Sequence, residues 1–296
     1  MVRLEGGAFR MGSDRHYIEE APSRTVVVDP FWIDQGPVTN AQFARFVEAT
    51  GHVTAAEQAP DPKDYPGMPT EMAHAGSIVF TPTKRPVPLT DPSQWWRFVF
   101  GADWRHPAGP GSGLLGLEQH PVAHVAFADA EAFAAWAGKV LPTEAEWEFA
   151  CRGGLDGAAF AWGEELTPGG RRMANYWVGE FPSRGPRPRN GVRTTPIGRY
   201  PPNGFGNVWE WTADWYGLAE PVSGKPCCVP RNPRGASALA SRDPAAPGQP
   251  IGRKVLKGGS HLCAASYCQR YRPAARHPQP IDTSTSHVGF RCVVRG

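Results

Sequence analysis

The sequence predicts a compact fold in which short strands and helices are set among many irregular loops. Glycine (34) and proline (32) are abundant among the 296 residues, near the level at which low complexity is suspected. Against that stand 11 Trp, 14 Phe and 7 Tyr, an aromatic density that argues for a packed interior. Capped, periodic segments punctuate the loops. A chain of this length has room for one large domain or two ordinary ones, and can bury roughly three quarters of its unfolded surface.

Gly6 to Ser13 reads as a strand entered and left through glycines, and Arg24 to Asp34 alternates well enough to be a second. Thr39 with Gln42 three residues on forms a capping box, Phe43, Phe46 and Val47 share one helical face, and Gly51 supplies a C-terminal stop. Residues 52–118 show no sustained period and are rich in Pro, Gly and Asp, so they are expected to form a long ordered insertion. Its Trp95, Trp96 and Trp104 either wall a peptide groove or make a satellite core. His120 and His124 share a face if extended, but Pro121 and apolar neighbours point to a strand feeding a helix rather than to a metal pair. That helix is expected from Asp129, as its cap, to Gly138, with Phe133, Trp136 and Ala137 on one face. In the run from Leu141 to Gly154, Thr143 caps, Glu146 closes a box and Arg152-Gly-Gly ends the helix. Its glutamates read as a cap and a solvated face.

Charge excludes some functions. A formal net charge of +3 from 31 basic and 28 acidic residues, with no basic run, gives no case for nucleic acid or an anionic membrane as partner. Nowhere do about 18 apolar residues run together, and no apolar core of signal-peptide length follows Met1, so a soluble, cytoplasmic protein is expected. In a reducing compartment, six cysteines suggest metal binding or catalysis before a disulfide scaffold.

The informative cysteines are Cys263 and Cys268, beside Gly258, Gly259 and Ser260. Five extended residues span roughly 16 Å and odd spacing puts the two side chains on opposite faces, so the segment must bend if the sulfurs are to meet. Two sulfurs in a bend offer a disulfide or a soft Cu(I) site, and buried thiols or a zinc site adding His261 and His277 are the bland alternatives. A second chemistry-bearing stretch, Asn203 to Glu210, carries an amide, a carboxylate and glycine-bent carbonyls of the kind calcium takes.

Several runs together, KGGS-x-x-C-x4-C-x-R-Y-R-x-A-A-R from Lys257 to Arg276, Gly289-Phe-Arg-Cys292, and the Leu141–Gly154 helix, resemble the formylglycine-generating enzymes, the sulfatase-modifying factors. The resemblance reaches from Gly6 to Cys292. It implies a single α+β domain over 1–296 with a C-type-lectin-like fold low in regular structure. It also implies conversion of the cysteine in a Cys-x-Pro-x-Arg motif of an unfolded sulfatase polypeptide to Cα-formylglycine by O2, with an external thiol as reductant. Cys263 and Cys268 would hold Cu(I), with the substrate thiolate as a third sulfur, and Ser260 would serve the reacting groups. Tyr267 and Trp209 would wall the site, Trp96 and Trp104 would line a peptide groove, and Arg276 would buttress the loop.

By the same resemblance one Ca²⁺ would take Asn203, Gly206, Val208 and Glu210. A weaker one, lacking a carboxylate, would take Asn175, Tyr176, Asn190 and Val192. Cys151 and Cys292 match a half-cystine pair of secretory relatives and are expected close but not necessarily bonded. Pro273 stands where relatives have another cysteine, and Cys227 and Cys228 read as surface thiols. Three alternatives carry different chemistry: an iron-dependent sulfoxide synthase needing a histidine triad, a non-catalytic binding module of the same fold, and a zinc-structural site on His261.

Overall fold

The computed structural model describes residues 1–65, 67–185, 193–201, 206–218 and 229–296. Eleven strands are described: β1 (Val2–Leu4), β2 (Gly7–Met11), β3 (Arg24–Val28), β4 (Phe31–Ile33), β5 (Gly76–Phe80), β6 (Trp96–Phe100), β7 (Trp209–Trp215), β8 (Arg253–Lys257), β9 (Arg276–Pro280), β10 (Val288–Gly289) and β11 (Val293–Arg295). The helices are α1 (Asn40–Thr50), α2 (Phe127–Trp136) and α3 (Glu144–Arg152). Two sheets organise the domain, β1-β4-β11 and β10-β7-β8-β9, with β2-β3 and β5-β6 as separate ribbons.

Local chemistry explains most boundaries. The Thr39 hydroxyl accepts from the Gln42 amide while the Gln42 side chain accepts from the Thr39 amide, and Gly51 closes α1 at φ 68°. Thr143 and Glu146 do the same for α3. The strand expected over Arg24–Asp34 is two strands, because Pro30 has no amide for the ladder. The second helix starts earlier than expected. Its N-cap is Ala126, and Asp129 sits in the first turn with its carboxylate accepting from the Ala126 amide at 2.9 Å. Within 52–118 the described structure includes the β5-β6 ribbon, paired from Gly76↔Phe100 to Phe80↔Trp96.

The main core lies between α1, α2 and the four-stranded sheet. Phe43 stacks on Phe133 at 6.0 Å and meets Phe290 and Trp104 edge-on, while Trp211, wholly buried, donates its indole N–H to the Val125 carbonyl at 3.0 Å. A second cluster, Phe80, Trp95, Trp177, Phe181, Leu262 and Ala264, packs under the loop that follows β8. Each fully buried aromatic contributes about 1.5–3 kcal/mol from apolar burial.

The glutamates of α3 are not a solvated face. Glu144, Glu146 and Glu148 are all buried. Glu148 accepts from Lys257 Nζ at 2.9 Å, Arg152 Nη2 at 2.7 Å and the Gly12 amide at 2.8 Å. Glu144 accepts from Arg276 Nη2 at 2.8 Å. Burial pushes the Glu148 carboxyl up, but Lys257 and Arg152 overcome it and hold the group below its usual range. The periodic pattern of α3 hid this because, apart from Arg152, the counter-ions come from β8, β9 and β11, more than a hundred residues away.

Candidate active site

Strand β8 ends at Lys257, and Gly258 and Gly259 turn the chain out of the sheet with φ of 95° and 67°. A Cβ on Gly259 would stand 2.6 Å from the Arg270 carbonyl oxygen, so only glycine lets the two arms of the loop close. Beyond the glycines the Cys263 amide donates to the Ser260 carbonyl at 3.0 Å, and the Cys268 amide donates to the Ala264 carbonyl at 2.7 Å. These successive turns are the bend that the spacing requires. They bring Cys263 Sγ and Cys268 Sγ to 2.9 Å, and both thiols are unbonded.

Ser260 is wholly buried. Its Oγ accepts from the Leu262 amide at 3.2 Å, and its own amide donates to Cys263 Sγ at 3.4 Å. Burial pushes the Cys263 thiol well up. The hydrogen bond with Cys263, helped by the Arg270 amide and guanidinium, pulls Cys268 down to about 7. The two thiols thus titrate as a pair in which Cys268 is the more acidic sulfur. Arg270 is fixed by Glu19 at 2.6 Å and lies over the Tyr17 ring at 4.1 Å, and its buried Nε has no hydrogen-bond partner among the described residues. An orphaned cationic donor beside two sulfurs fits an anionic thiolate–metal centre.

Both arms of the loop are anchored by buried ion pairs. Lys257 meets Glu148 before it, and after it Arg272 grips Glu20 and Arg276 grips Glu144. Arg276 also donates to the Gly217 carbonyl at 2.7 Å, which is a buttress. Breaking a buried pair from one side costs about 3–5 kcal/mol, so the thiols sit on a rigid mount.

Tyr267, 37% exposed, stacks on Phe181 at 4.7 Å and meets Trp95 edge-on. Trp209 is buried and stacks on His277 at 5.6 Å. Trp96 packs on His287 at 4.7 Å and on Phe80. Trp104 is buried in the main core against Phe43, with the Arg105 guanidinium over its ring at 4.3 Å. Sequence reasoning left Trp95 between a groove wall and a satellite core, and passed over Phe181, Arg270 and His287. Of these three only Arg270, inside the C-x-R-Y-R run, carried any sequence signal.

Among the described residues, no group of three or more His, Cys, Asp or Glu converges to hold a metal ion. His261 turns Nδ1 to the Asn207 carbonyl at 2.7 Å, His124 is spent on Ser77 and Pro107, and His287 on Thr285. A zinc centre built on His261, Cys263, Cys268 and His277 is therefore not formed, nor is an iron triad. Cys151 and Cys292 are buried, unbonded thiols, the first pushed well up by burial and the second to about 12.

Two of the calcium-type ligands, Glu210 and the Tyr176 carbonyl, accept hydrogen bonds from arginines. Glu210 accepts from Arg291 through both oxygens, at 2.5 and 2.7 Å, and from Trp147 Nε1 at 2.7 Å. The Tyr176 carbonyl accepts from Arg172 Nη2 at 2.7 Å. Asn175 donates Nδ2 to Asn207 Oδ1 and to the Arg193 carbonyl, both at 3.0 Å. Gly206 and Val208 lie beside these groups, and Gly206 is bridged to Asn175. Asn203, Asn190, Val192, Cys227 and Cys228 lie outside the described residues.

A low-helix α+β domain of C-type-lectin-like fold, presenting a converged thiol pair on a bent, ion-paired loop, defines the class of this protein. Comparison with known proteins specifies it: the family described as "Sulfatase-modifying factor enzyme 1-like domain" matches residues 1–296, and the chain belongs to that family. It is 51% identical to the formylglycine-generating enzyme of Mycobacterium tuberculosis over 99% of this chain and 97% of that one. It is 36% identical to the mouse protein named inactive Cα-formylglycine-generating enzyme 2, over 99% of this chain and 84% of that one. Among solved structures, PvdO from Pseudomonas aeruginosa superposes with a TM-score of 0.59 at 20% identity, covering 100% of this chain and 94% of that chain, which supports the fold. No helix among the described residues is long and apolar enough to cross a membrane.

Proposed function

We propose that this protein is a formylglycine-generating oxidoreductase. It converts the cysteine of a Cys-x-Pro-x-Arg motif in an unfolded sulfatase polypeptide to Cα-formylglycine, with Cu(I) held by Cys263 and Cys268. The observation that carries the reading is the convergence of those two sulfurs, at 2.9 Å, within a chain of this family. One substrate thiol, one O2 and two equivalents of an external thiol give the aldehyde, hydrogen sulfide, water and a disulfide, which balances atoms and electrons. When bound, Cu(I) supplies the soft centre that gathers the substrate thiolate and makes O2 reactive toward the substrate Cβ.

The chain's own residues do the rest. Cys263 and Cys268 hold the metal as thiolates, and Arg270 balances their charge. Ser260, its Oγ taken on one side by the Leu262 amide, keeps its hydroxyl proton available for a reacting atom. Tyr267, Phe181 and Trp95 form an apolar wall that limits water beside the sulfurs. Trp96, packed on His287, would line the approach of the peptide, whereas Trp209 is buried against His277. A reducing compartment such as the cytoplasm suits the unbonded cysteines. Against a merely structural or binding role stands the presence of both sulfurs in a polar, charge-balanced loop.

The test is mass spectrometry of a peptide bearing Leu-Cys-Thr-Pro-Ser-Arg, incubated aerobically with the protein, Cu(I) and a thiol reductant. Copper-dependent conversion of cysteine to aldehyde is expected. Absence of conversion by folded, copper-loaded protein would leave a binding role instead.

A further inference from the structure

We propose that Arg171, Arg172 and Arg199 form a site for a divalent oxyanion, phosphate or sulfate, free or carried as an ester of a small organic molecule. The inference stands apart from the copper chemistry. The three arginines, with Tyr200 and Pro201, line a cavity of about 350 Å³ to which no carboxylate contributes. Among the described residues none of the three forms an ion pair with an acid.

The sequence concentrates this charge without making a run of it. Between residues 166 and 200 seven arginines stand against one acid, Glu180. Residues 186–192 and 202–205 lie outside the described residues and contain no Asp or Glu, so those neighbouring stretches bring no acid to the cavity. Two tight turns present the cations. Gly169 and Gly170, at φ 57° and 78°, carry a turn in which the Gly170 amide donates to the Thr167 carbonyl at 2.9 Å and the Arg171 amide to the Pro168 carbonyl at 3.0 Å. The Arg199 amide closes the second turn on the Pro196 carbonyl at 3.3 Å.

Arg172 is the fixed member. Its Nη2 donates to the Tyr176 carbonyl at 2.7 Å, its guanidinium lies 4.9 Å from the Tyr176 ring, and its buried Nε has no hydrogen-bond partner among the described residues. Arg171 and Arg199 are exposed and carry no side-chain hydrogen bond among those residues. A solvated face would spread such charges apart, since like charges around one cavity repel. A doubly negative ligand relieves that repulsion, and guanidinium forks match its oxygens in pairs. A carboxylate would offset only one charge of the three. The volume is that of a small-molecule site, and Tyr200 and Pro201 offer apolar surface to an organic group. None of the lining residues belongs to the thiol loop or its aromatic wall. Tyr176, held by Arg172, packs on Tyr271 at 4.8 Å and so joins the cavity to that loop.

Calorimetric titration of the whole protein at fixed ionic strength tests this with inorganic phosphate, sulfate, phenyl phosphate, acetate and chloride. Saturable binding of phosphate or sulfate is expected, with none for acetate or chloride. Tighter binding of phenyl phosphate than of phosphate would assign the site to an ester, and equal or weaker binding to the free anion. Arg171→Gln and Arg199→Gln are expected to melt at the wild-type midpoint, and each to weaken phosphate binding by about 10-fold or more. Arg199→Lys should recover part of that loss, because lysine keeps the charge and not the fork. Arg24→Gln, in a separate cavity shared with Arg234 and Arg276, is expected to leave phosphate affinity unchanged. Phosphate that binds no better than chloride, or with wild-type affinity in either Gln variant of Arg171 or Arg199, would overturn the site. A loss confined to Arg24→Gln would overturn it too, by moving the anion to the other cavity.

Discussion

Two regions of this chain carry the text of metal sites, and they differ in how far their donors are spent. In the 258–272 loop the sulfurs face each other and their nearest cation, Arg270, stands beside them with one N–H still unused. In the 174–176 and 206–210 loops, Arg172 already holds the Tyr176 carbonyl and Arg291 both Glu210 oxygens. A site is ready for a ligand when its charge is balanced but its lone pairs are open. One that balances its charge by consuming its lone pairs has become structure.

The comparison is broken most directly at the sulfurs. Cys263→Ala and Cys268→Ala are each expected to lose Cu(I) retention and aldehyde formation altogether. The thermal midpoint of the apoprotein should fall only modestly, since Cys268 is partly exposed and each change removes one small group. Retention of Cu(I) by either variant, measured against a chelator, would move the ligands elsewhere.

The mount of the loop should be worth more to the fold than the sulfurs. Lys257→Met leaves Glu148 facing Arg152 and the Gly12 amide without its second cation, and is expected to cost about 3–5 kcal/mol of stability by urea unfolding. A loss below about 1 kcal/mol would mean that water reaches Glu148 and that the loop is not rigidly held.

Acid should loosen the fold around His124. His124 is wholly buried, its Nδ1 at 2.7 Å from Ser77 Oγ and its Nε2 at 3.0 Å from the Pro107 carbonyl, and burial lowers it from 6.5 to about 4. Between those values the unfolded chain binds a proton that the native one refuses. Stability is therefore intact above pH 6.5 and falls with pH, by about 1.4 kcal/mol per unit and roughly 3 kcal/mol by pH 4. Urea midpoints of His124→Gln against wild type across pH 7 to 4.5 check this. Parallel curves would show that His124 is not the group responsible.

How much of this was legible in the sequence follows from the range of each interaction. Caps at Thr39 and Thr143 were readable because donor and acceptor lie three residues apart. The meeting of Cys263 and Cys268 was readable as a requirement for a bend, since spacing and chemistry are both local. The burial of Glu148 was not, because Lys257 arrives from a strand that no periodicity links to α3. The oxygen loops meet the same limit. Only the three-dimensional arrival of Arg291 and Arg172 shows that the Glu210 carboxylate and the Tyr176 carbonyl already accept hydrogen bonds. Residue type announces what a group can bind, while its long-range partners decide whether it is still available.

Arg270 sharpens the contrast most finely, because there an arginine meets donor atoms without using them up. Glu19 and the Tyr17 ring hold its guanidinium, both from the turn at residues 17–20, so its position is set by a segment some 250 residues distant in sequence. Its positive charge favours the thiolate of Cys268, and a neighbouring opposite charge of that kind contributes about 1.5–3 kcal/mol. Arg270→Gln is therefore expected to weaken Cu(I) binding by roughly 10- to 100-fold in a chelator competition at fixed pH, with Arg270→Lys recovering part of the loss. Both variants should unfold near the wild-type midpoint, since the Glu19 pair is partly exposed. Equal copper affinity in wild type and Gln variant would reduce Arg270 to a strut between the loop and the N-terminal turn. A deficit repaired by Lys would separate charge balance from packing, since lysine restores the charge and not the planar contact with Tyr17.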